Sequence, residues 1–256
     1  MSGVLILSSH VASSEVGGGY QRAVLGALEI ESILVPTVLF GRHPGLGPPG
    51  GGATPLAIFE GMLEGVAADG ALGRVEAVIA GYFADPGQVL AAARTIDAVR
   101  AASPNALILV DPILGDDPKG LYVKPAVAEA IAAELTPRAD ILTPNAWELA
   151  YLTDLPVASP AEALAAARTL GKPALVSSLT VGRSIGVLWA GPREAWLASH
   201  KRAPFAPNGT GDLLTCLFLA AVLGGAAEPD ALETAVSDVA AKIMGRDVAV
   251  ALEALA

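Results

Sequence analysis

Cysteine is almost absent from this chain of 256 residues. Cys216 is the only one, so no disulfide can form within the chain. It lies in an apolar run and reads as a small core residue rather than a nucleophile. Histidine is nearly as scarce, and three histidines without metal spacing, His10 and His43 among them, do not build a zinc site. Charge is sparse too. Only 16% of residues are charged, the net charge is -10, and no basic stripe offsets it, which argues against a nucleic-acid partner. No apolar run approaches the ~20 residues needed to span a bilayer, so no membrane association is expected. The first residues lack the basic flank and cleavage site of a signal peptide and read as a strand, which points to a cytoplasmic setting. The phosphate-loop pattern ending in Gly-Lys-Ser/Thr is missing, which excludes that class of nucleotide enzyme. There is no internal repeat, charge block or linker, so a single domain over residues 1–256 is expected.

Hydrophobic residues make up 53% of the chain, enough for an extensive core. Short apolar runs at 4–7, 33–35, 77–80, 106–110 and 141–142 alternate with helical patterns at 20–28, 56–68, 88–102 and 126–135, and with a helix from Ala146. Continuous apolar strands separated by helices predict an α/β fold, a three-layer sandwich with a mostly parallel central sheet and helices on both faces. Ser159-Pro160-Ala161-Glu162 marks a further helix start, with a capping box and proline at the first helical position. Three strand candidates then follow without helices between them, at 174–177, 184–189 and 194–199. They predict an antiparallel edge. Two helices, one after Asp212 and one over 229–244, are expected to close the chain. Trp147, Trp189 and Trp196 read as packing residues.

The segment 41–55 is rich in glycine and proline and reads as a flap or lid. It contains Gly45-Leu46-Gly47-Pro48-Pro49-Gly50, which satisfies the dinucleotide pattern G-x-G-x-x-G. The match is rejected, because the prolines remove backbone donors and no helix opens directly after it.

Candidate chemistry gathers where parallel strands end, the place where open sheets bind ligands. Ser8, Ser9 and His10 follow the first strand, Gly81 and Tyr82 the third, Asp111 the fourth, Asn145 and Glu148 the fifth, and Ser177 and Ser178 the sixth. The stretch Gly209-Thr210-Gly211-Asp212 then runs straight into an apolar helix. Its glycines let a ligand approach the backbone, and the helix start offers unpaired N–H groups to an anion. Asp212 has two readings there, a complement to the helix dipole or a base beside an anion hole. Asn145 and Glu148 are equally readable as a capping box, and Asp111 before proline as a turn. Taken together, Asp111 and Glu148 offer hard oxygen ligands suited to Mg²⁺. With the glycine turn and Asp212 they make the parts of a phosphoryl-transfer site.

These motifs resemble the ribokinase-like small-molecule kinases and, within them, the pyridoxal kinases. Gly209-Thr210-Gly211-Asp212 is similar to the superfamily signature and Asn145-x-x-Glu148 to its Mg-phosphate motif. Ser9-His10-Val11, Thr37-Val38-Leu39-Phe40 with His43, and Asp111-Pro112-Ile113-Leu114-Gly115-Asp116 leading to Gly120-Leu121-Tyr122-Val123 resemble the pyridoxal kinase branch. The resemblance implies ATP-dependent phosphorylation of the 5′-hydroxymethyl group of pyridoxal, and of pyridoxine or pyridoxamine. It implies that Asp212 is the base and that the Gly209, Thr210 and Gly211 amides stabilise the transferring phosphoryl. Asp111 and Glu148 would hold Mg²⁺, Asn145 and Ser177 would face the ATP phosphates, and Ser9, Thr37, His43 and Tyr82 would line the pyridine pocket. A cytoplasmic homodimer and a monovalent cation such as K⁺ are implied as well. Ser13-Ser14-Glu15-Val16-Gly17-Gly18 and Gly41-Arg42-His43-Pro44-Gly45-Leu46 depart from the family's usual residues, both on the substrate side. A hydroxymethylpyrimidine kinase of the same fold and a catalytically silent B6-binding protein are the alternatives.

Overall fold

The computed structural model describes residues 3–255 and divides into two compact units. One comprises the chain up to Leu114 together with Leu121–Asp140. The other comprises Gly115–Gly120 and the chain from Ile141 on.

In the first unit, β1 (Gly3–Val11) is flanked on one side by β2 (Glu31–Phe40) and on the other by β4 (Val75–Ala80), with β5 (Leu107–Val110) beyond β4. These pairings are all parallel. β3 (Gly51–Ala53) adds an antiparallel edge against β2. Between the strands run α1 (Gly17–Ala27), α2 (Leu56–Ala68) and α3 (Pro86–Ala102), and α4 (Pro125–Ala130) follows β5. Val4, Leu5, Ile6 and Leu7 are all buried, as are Val78, Ile79 and Ala80. A strand covered on both faces has no use for alternation, which is why these runs are continuously apolar. α3 opens on Asp85, whose carboxylate accepts the Gly87 N–H at 2.8 Å, with Pro86 at the first helical position.

The second unit opens with Gly115–Gly120, the span of a hairpin that pairs β6 (Gly115–Asp116) with β7 (Gly120–Leu121). β8 (Ile141–Leu142) is parallel to β9 (Ala174–Val181). From β9 the sheet turns antiparallel through β10 (Ser184–Ala190) and β11 (Ala195–Lys201) to β12 (Ala251–Leu255). α5 (Ala146–Thr153) and α6 (Pro160–Thr169) lie between β8 and β9, and α7 (Thr210–Leu223) and α8 (Glu228–Met244) between β11 and β12. α7 buries Leu213, Leu214, Cys216, Phe218 and Leu219, so Cys216 is the core residue expected. Trp189 is buried and donates from Nε1 to Glu228 at 2.9 Å, and Trp147 stacks on Tyr151.

The α/β class, the alternation of strands and helices and the antiparallel end are as the sequence predicts. Four details differ. The chain's last described element is a strand rather than a helix. β12 is built from Ala, Leu and Glu, which favour helix, but the open edge of β11 supplies backbone partners and outweighs that preference. The segment 41–55 contains a 3₁₀ turn, Pro44–Leu46, and then β3, so no helix opens on its glycines. β3 is Gly-Gly-Ala, a sequence without strand preference that pairing with β2 alone makes extended. The helix expected over 126–135 is interrupted: α4 gives way to a π turn, Ile131–Leu135, and a 3₁₀ turn, Thr136–Arg138, with Pro137 ending any continuation. The hairpin of β6 and β7 carries no strand pattern either. No described helix is long and apolar enough to cross a membrane.

One side chain fastens the loops of the first unit. Gln88 is fully buried, donates from Nε2 to the carbonyls of Thr37 (2.9 Å) and Thr54 (2.8 Å), and accepts the Ala84 N–H on Oε1 at 3.1 Å. Each buried backbone group left without its partner costs about 1–3 kcal/mol. Gln88→Leu keeps the volume but loses all three bonds, so urea denaturation is expected to show a loss of roughly 3 kcal/mol or more. Ile79→Ala, which only opens a cavity in β4, is expected to cost about 2–5 kcal/mol in the same measurement.

Candidate active site

In the first unit, the polar residues that follow the strands converge on Tyr82. Thr37, fully buried on β2, donates from Oγ1 to the Tyr82 carbonyl at 2.6 Å. Ser8, fully buried on β1, accepts the Tyr82 N–H on Oγ at 3.2 Å. Three neighbouring strands thus hold one residue between two hydroxyls. Burial pushes the Tyr82 phenol above its ordinary pKa, so it remains a neutral donor at neutral pH. Ser9 is buried beside Ser8 and backed by Gly17, where the start of α1 comes so close that a Cβ would meet Ser9 Oγ. His43 lies beyond β2, and its Nδ1 accepts the Gly45 N–H at 3.1 Å to cap the 3₁₀ turn. Ser9, Thr37 and Tyr82 are therefore brought to one end of adjacent strands, while the bond recorded for His43 is local. His10 Nδ1 is buried with no hydrogen-bond partner among the described residues. Asp111 follows β5 with 7% of its surface exposed, and its N–H is held by the Ala80 carbonyl at 2.8 Å.

A well-formed concavity of this unit lies elsewhere. A cleft of about 490 Å³ is lined by Gly3, Arg22, Glu31 and Arg74, at the amino ends of β1 and β2, the end away from Ser9 and Thr37.

In the second unit, Asn145 and Glu148 form the capping box that opens α5. Asn145 Oδ1 accepts the Glu148 N–H at 2.9 Å, and Glu148 Oε2 accepts the Asn145 N–H at 2.8 Å. The box does more than cap the helix. Glu148 is 3% exposed, and its Oε1 accepts the Gly115 N–H at 3.4 Å, while Asn145 Nδ2 donates to the Gly115 carbonyl at 2.9 Å. Ser177 sits alongside: it pairs with Asn145 in a parallel bridge, and its N–H is bonded to the Pro144 carbonyl at 3.0 Å. A bulge follows, in which β9 spends two residues, Ser177 and Ser178, against Val187 alone, and Ser178 takes a left-handed φ of 65°.

α7 begins differently from α5. Its N-cap is Gly209, in the left-handed region at φ 88°, and no side chain caps the first turn. A residue with a Cβ would be strained there, and the first N–H groups are left for another acceptor. Asp212 lies in that first turn, partly exposed. One turn on, Thr215 donates from Oγ1 to Thr143 Oγ1 at 3.3 Å, both side chains being buried. Since Thr143 directly follows β8 and precedes Asn145 by two residues, the bond ties the start of α7 to the strand end from which α5 springs. Asp212, Asn145, Glu148 and Ser177 therefore share one end of this unit.

Sequence reasoning missed Gln88, the Thr143–Thr215 link and the role of Gly115. Gln88 and Thr215 are single polar residues within helical apolar runs, and that contrast is the signal that could have marked them. Gly115 has no comparable mark. For metal binding, the described residues contain no group of three or more His, Cys, Asp or Glu able to hold an ion. A metal caged by protein alone does not fit. An ion such as Mg²⁺ takes one or two carboxylates and fills its sphere with water and phosphate oxygens, so it does not need such a group.

Comparison with known proteins is consistent with this geometry. Residues 55–251 match the family model described as phosphomethylpyrimidine kinase. The pyridoxine/pyridoxal/pyridoxamine kinase of Bordetella avium is 36% identical, over 90% of this chain and 80% of its own. Among solved structures, pyridoxal kinase from Entamoeba histolytica superposes with a TM-score of 0.93 at 25% identity, covering 100% of both chains. Pyridoxal kinase from Leishmania donovani in complex with ADP gives 0.87 at 25% identity, covering 94% of this chain and 86% of that one. Likeness at this level, running through most of both sequences and through the whole fold, means that the chain belongs to the pyridoxal kinase family and has its ribokinase-like fold.

Proposed function

We propose that this protein transfers the γ-phosphoryl group of ATP to the 5′-hydroxymethyl group of pyridoxal, giving pyridoxal 5′-phosphate and ADP. The enzyme is a phosphotransferase with an alcohol acceptor, as its family is. The observation that carries the finer reading is the start of α7: an N-terminus without a side-chain cap, an acid in its first turn, and a buried link to the strand end that bears Asn145.

In this reading the Asp212 carboxylate takes the proton of the 5′-hydroxyl as that oxygen bonds to the γ-phosphorus. The bond from phosphorus to the bridging oxygen breaks, and ADP leaves with the electron pair. Gly209, Thr210 and Gly211 point backbone N–H groups at the phosphoryl oxygens, where the helix dipole favours negative charge. Asn145 and Ser177 face the nucleotide phosphates. Asp111 and Glu148 would hold Mg²⁺, which when bound neutralises phosphate charge. Ser9, Thr37 and Tyr82 line the pyridine side, and His43 closes over it from the loop after β2. K⁺ is the expected monovalent ion beside the phosphates.

The chain is taken to work as one kinase domain over residues 1–256, in the cytoplasm and as a homodimer. Support for the dimer comes from exposed apolar side chains on the first unit: Leu39, Leu46, Leu56, Ile58 and Leu90. A second substrate reading has its own basis, since the matching family model is named for a pyrimidine. Hydroxymethylpyrimidine would occupy the same pocket with its hydroxymethyl group towards Asp212. A silent B6-binding protein would have no need of the base.

Asp212→Asn is expected to lower kcat by about 10²–10⁴-fold in a coupled ADP-release assay while ADP binding persists. Normal turnover by this variant would remove Asp212 as the base. Asp111→Asn is expected to raise the Mg²⁺ concentration needed for half-maximal rate by roughly tenfold or more, and chelation by EDTA to abolish turnover of the unaltered enzyme. Competition between pyridoxal and hydroxymethylpyrimidine decides the substrate, with pyridoxal expected to show the higher kcat/KM.

A further inference from the structure

The hairpin Gly115–Gly120 is unclaimed by the chemistry above, although Asp116, Asp117 and Lys119 all stand exposed at its tip. It is fastened through a single residue. The Gly115 N–H is bonded to Glu148 Oε1 and the Gly115 carbonyl to Asn145 Nδ2. The same two side chains use their other atoms to close the capping box on each other's backbone. Four hydrogen bonds thus join three residues, and the box that starts α5 also grips the hairpin.

The grip depends on residue 115 being glycine. A Cβ there would stand 2.7 Å from Trp147 Cη2 and 2.5 Å from the Gly120 carbonyl oxygen. The Trp147 ring is stacked on Tyr151 at 5.4 Å between centroids, so it has a neighbour to displace before it can give way. The carbonyl belongs to the hairpin's other arm. A side chain at 115 must displace the Trp147 ring or the hairpin's other arm, and a shift of the arm strains both bonds to the box.

We propose that Gly115 is a positioning residue for the nucleotide side of the site. Its N–H and carbonyl fix the Glu148 carboxylate and the Asn145 amide in orientation, and those two groups in turn hold the hairpin down. The proposal rests on the reading of Asn145 and Glu148 as phosphate- and metal-side residues. It adds that hairpin order and nucleotide affinity are set by the same contacts, so neither can be weakened alone.

Two variants test it. Gly115→Ala removes the room for the hairpin. Asn145→Ser removes the amide that bonds the Gly115 carbonyl but keeps an oxygen able to cap α5. Tryptic cleavage after Lys119 in the ligand-free protein reports the grip, and KM values for Mg·ATP and for pyridoxal report positioning. In both variants the Lys119–Gly120 bond should be cut roughly tenfold faster. KM for Mg·ATP should rise about tenfold while KM for pyridoxal and the circular dichroism spectrum hold steady. A merely structural role would not split the two KM values. Cleavage at the unaltered rate in both variants overturns the grip. Faster cleavage with an unchanged KM for Mg·ATP overturns the positioning role. An unaltered enzyme that makes no ADP with any B6 vitamer overturns the kinase reading and the nucleotide half of the proposal, while the cleavage result still judges the grip. Should Gly115→Ala fail to fold, the cleavage rate of Asn145→Ser judges the grip, and an unchanged KM for Mg·ATP in that variant overturns the positioning role.

Discussion

The arrangement of the second unit depends on two helix starts that are satisfied in opposite ways. At α5 the first N–H groups are consumed by the protein itself, through the reciprocal bonds of Asn145 and Glu148. At α7 they are not capped by a side chain, because the N-cap is a glycine held at φ 88°. A helix start buried without partners would be costly, so the uncapped one must look outward to an acceptor, and the capped one can be packed. The Thr143–Thr215 bond brings the two starts to one strand end. One carries no side-chain cap, and the other holds a buried carboxylate and an amide in fixed orientation.

The first unit reaches the same precision by another route. Its strands end in small hydroxyl residues whose donors and acceptors go to backbone groups: Thr37 to the Tyr82 carbonyl, Ser8 to the Tyr82 amide, Thr54 to the Pro36 carbonyl. Every one of these bonds joins segments distant in sequence, so the loops around Tyr82 are set by partners on other strands. That is how residues on connecting segments can be held as firmly as those in the sheet.

Much of this was legible in the sequence, and the reasons differ by element. The runs at 4–7 and 77–80 could be read because a strand buried on both faces leaves a continuous apolar signature. Asn145 and Glu148 were readable in both of their senses, and the capping sense is what the coordinates display, with the hairpin grip added. The helix start at the glycine turn could be read because glycines run straight into an apolar run there, with Asp212 in its first turn. β12 and β3 could not, since both are strands by virtue of a neighbour's unpaired edge and not by their own composition. Gln88 was hidden for a related reason: its three partners come from segments with no pattern linking them to it.

The geometry around Gln88 carries a consequence for how the protein ages. Two of its contacts are carbonyl oxygens and one is an amide hydrogen, so the site demands a side chain that is donor at one tip and acceptor at the other. Deamidation to glutamate, a change of one atom and one charge, would turn the donating end into an oxygen pressed against two others in a place that water does not reach. The same burial keeps hydrolytic water from the amide while the chain is folded, so the lesion can enter only where the chain opens, and a chain that has taken it would fail to close the loops that lead to Thr37, Thr54 and Tyr82.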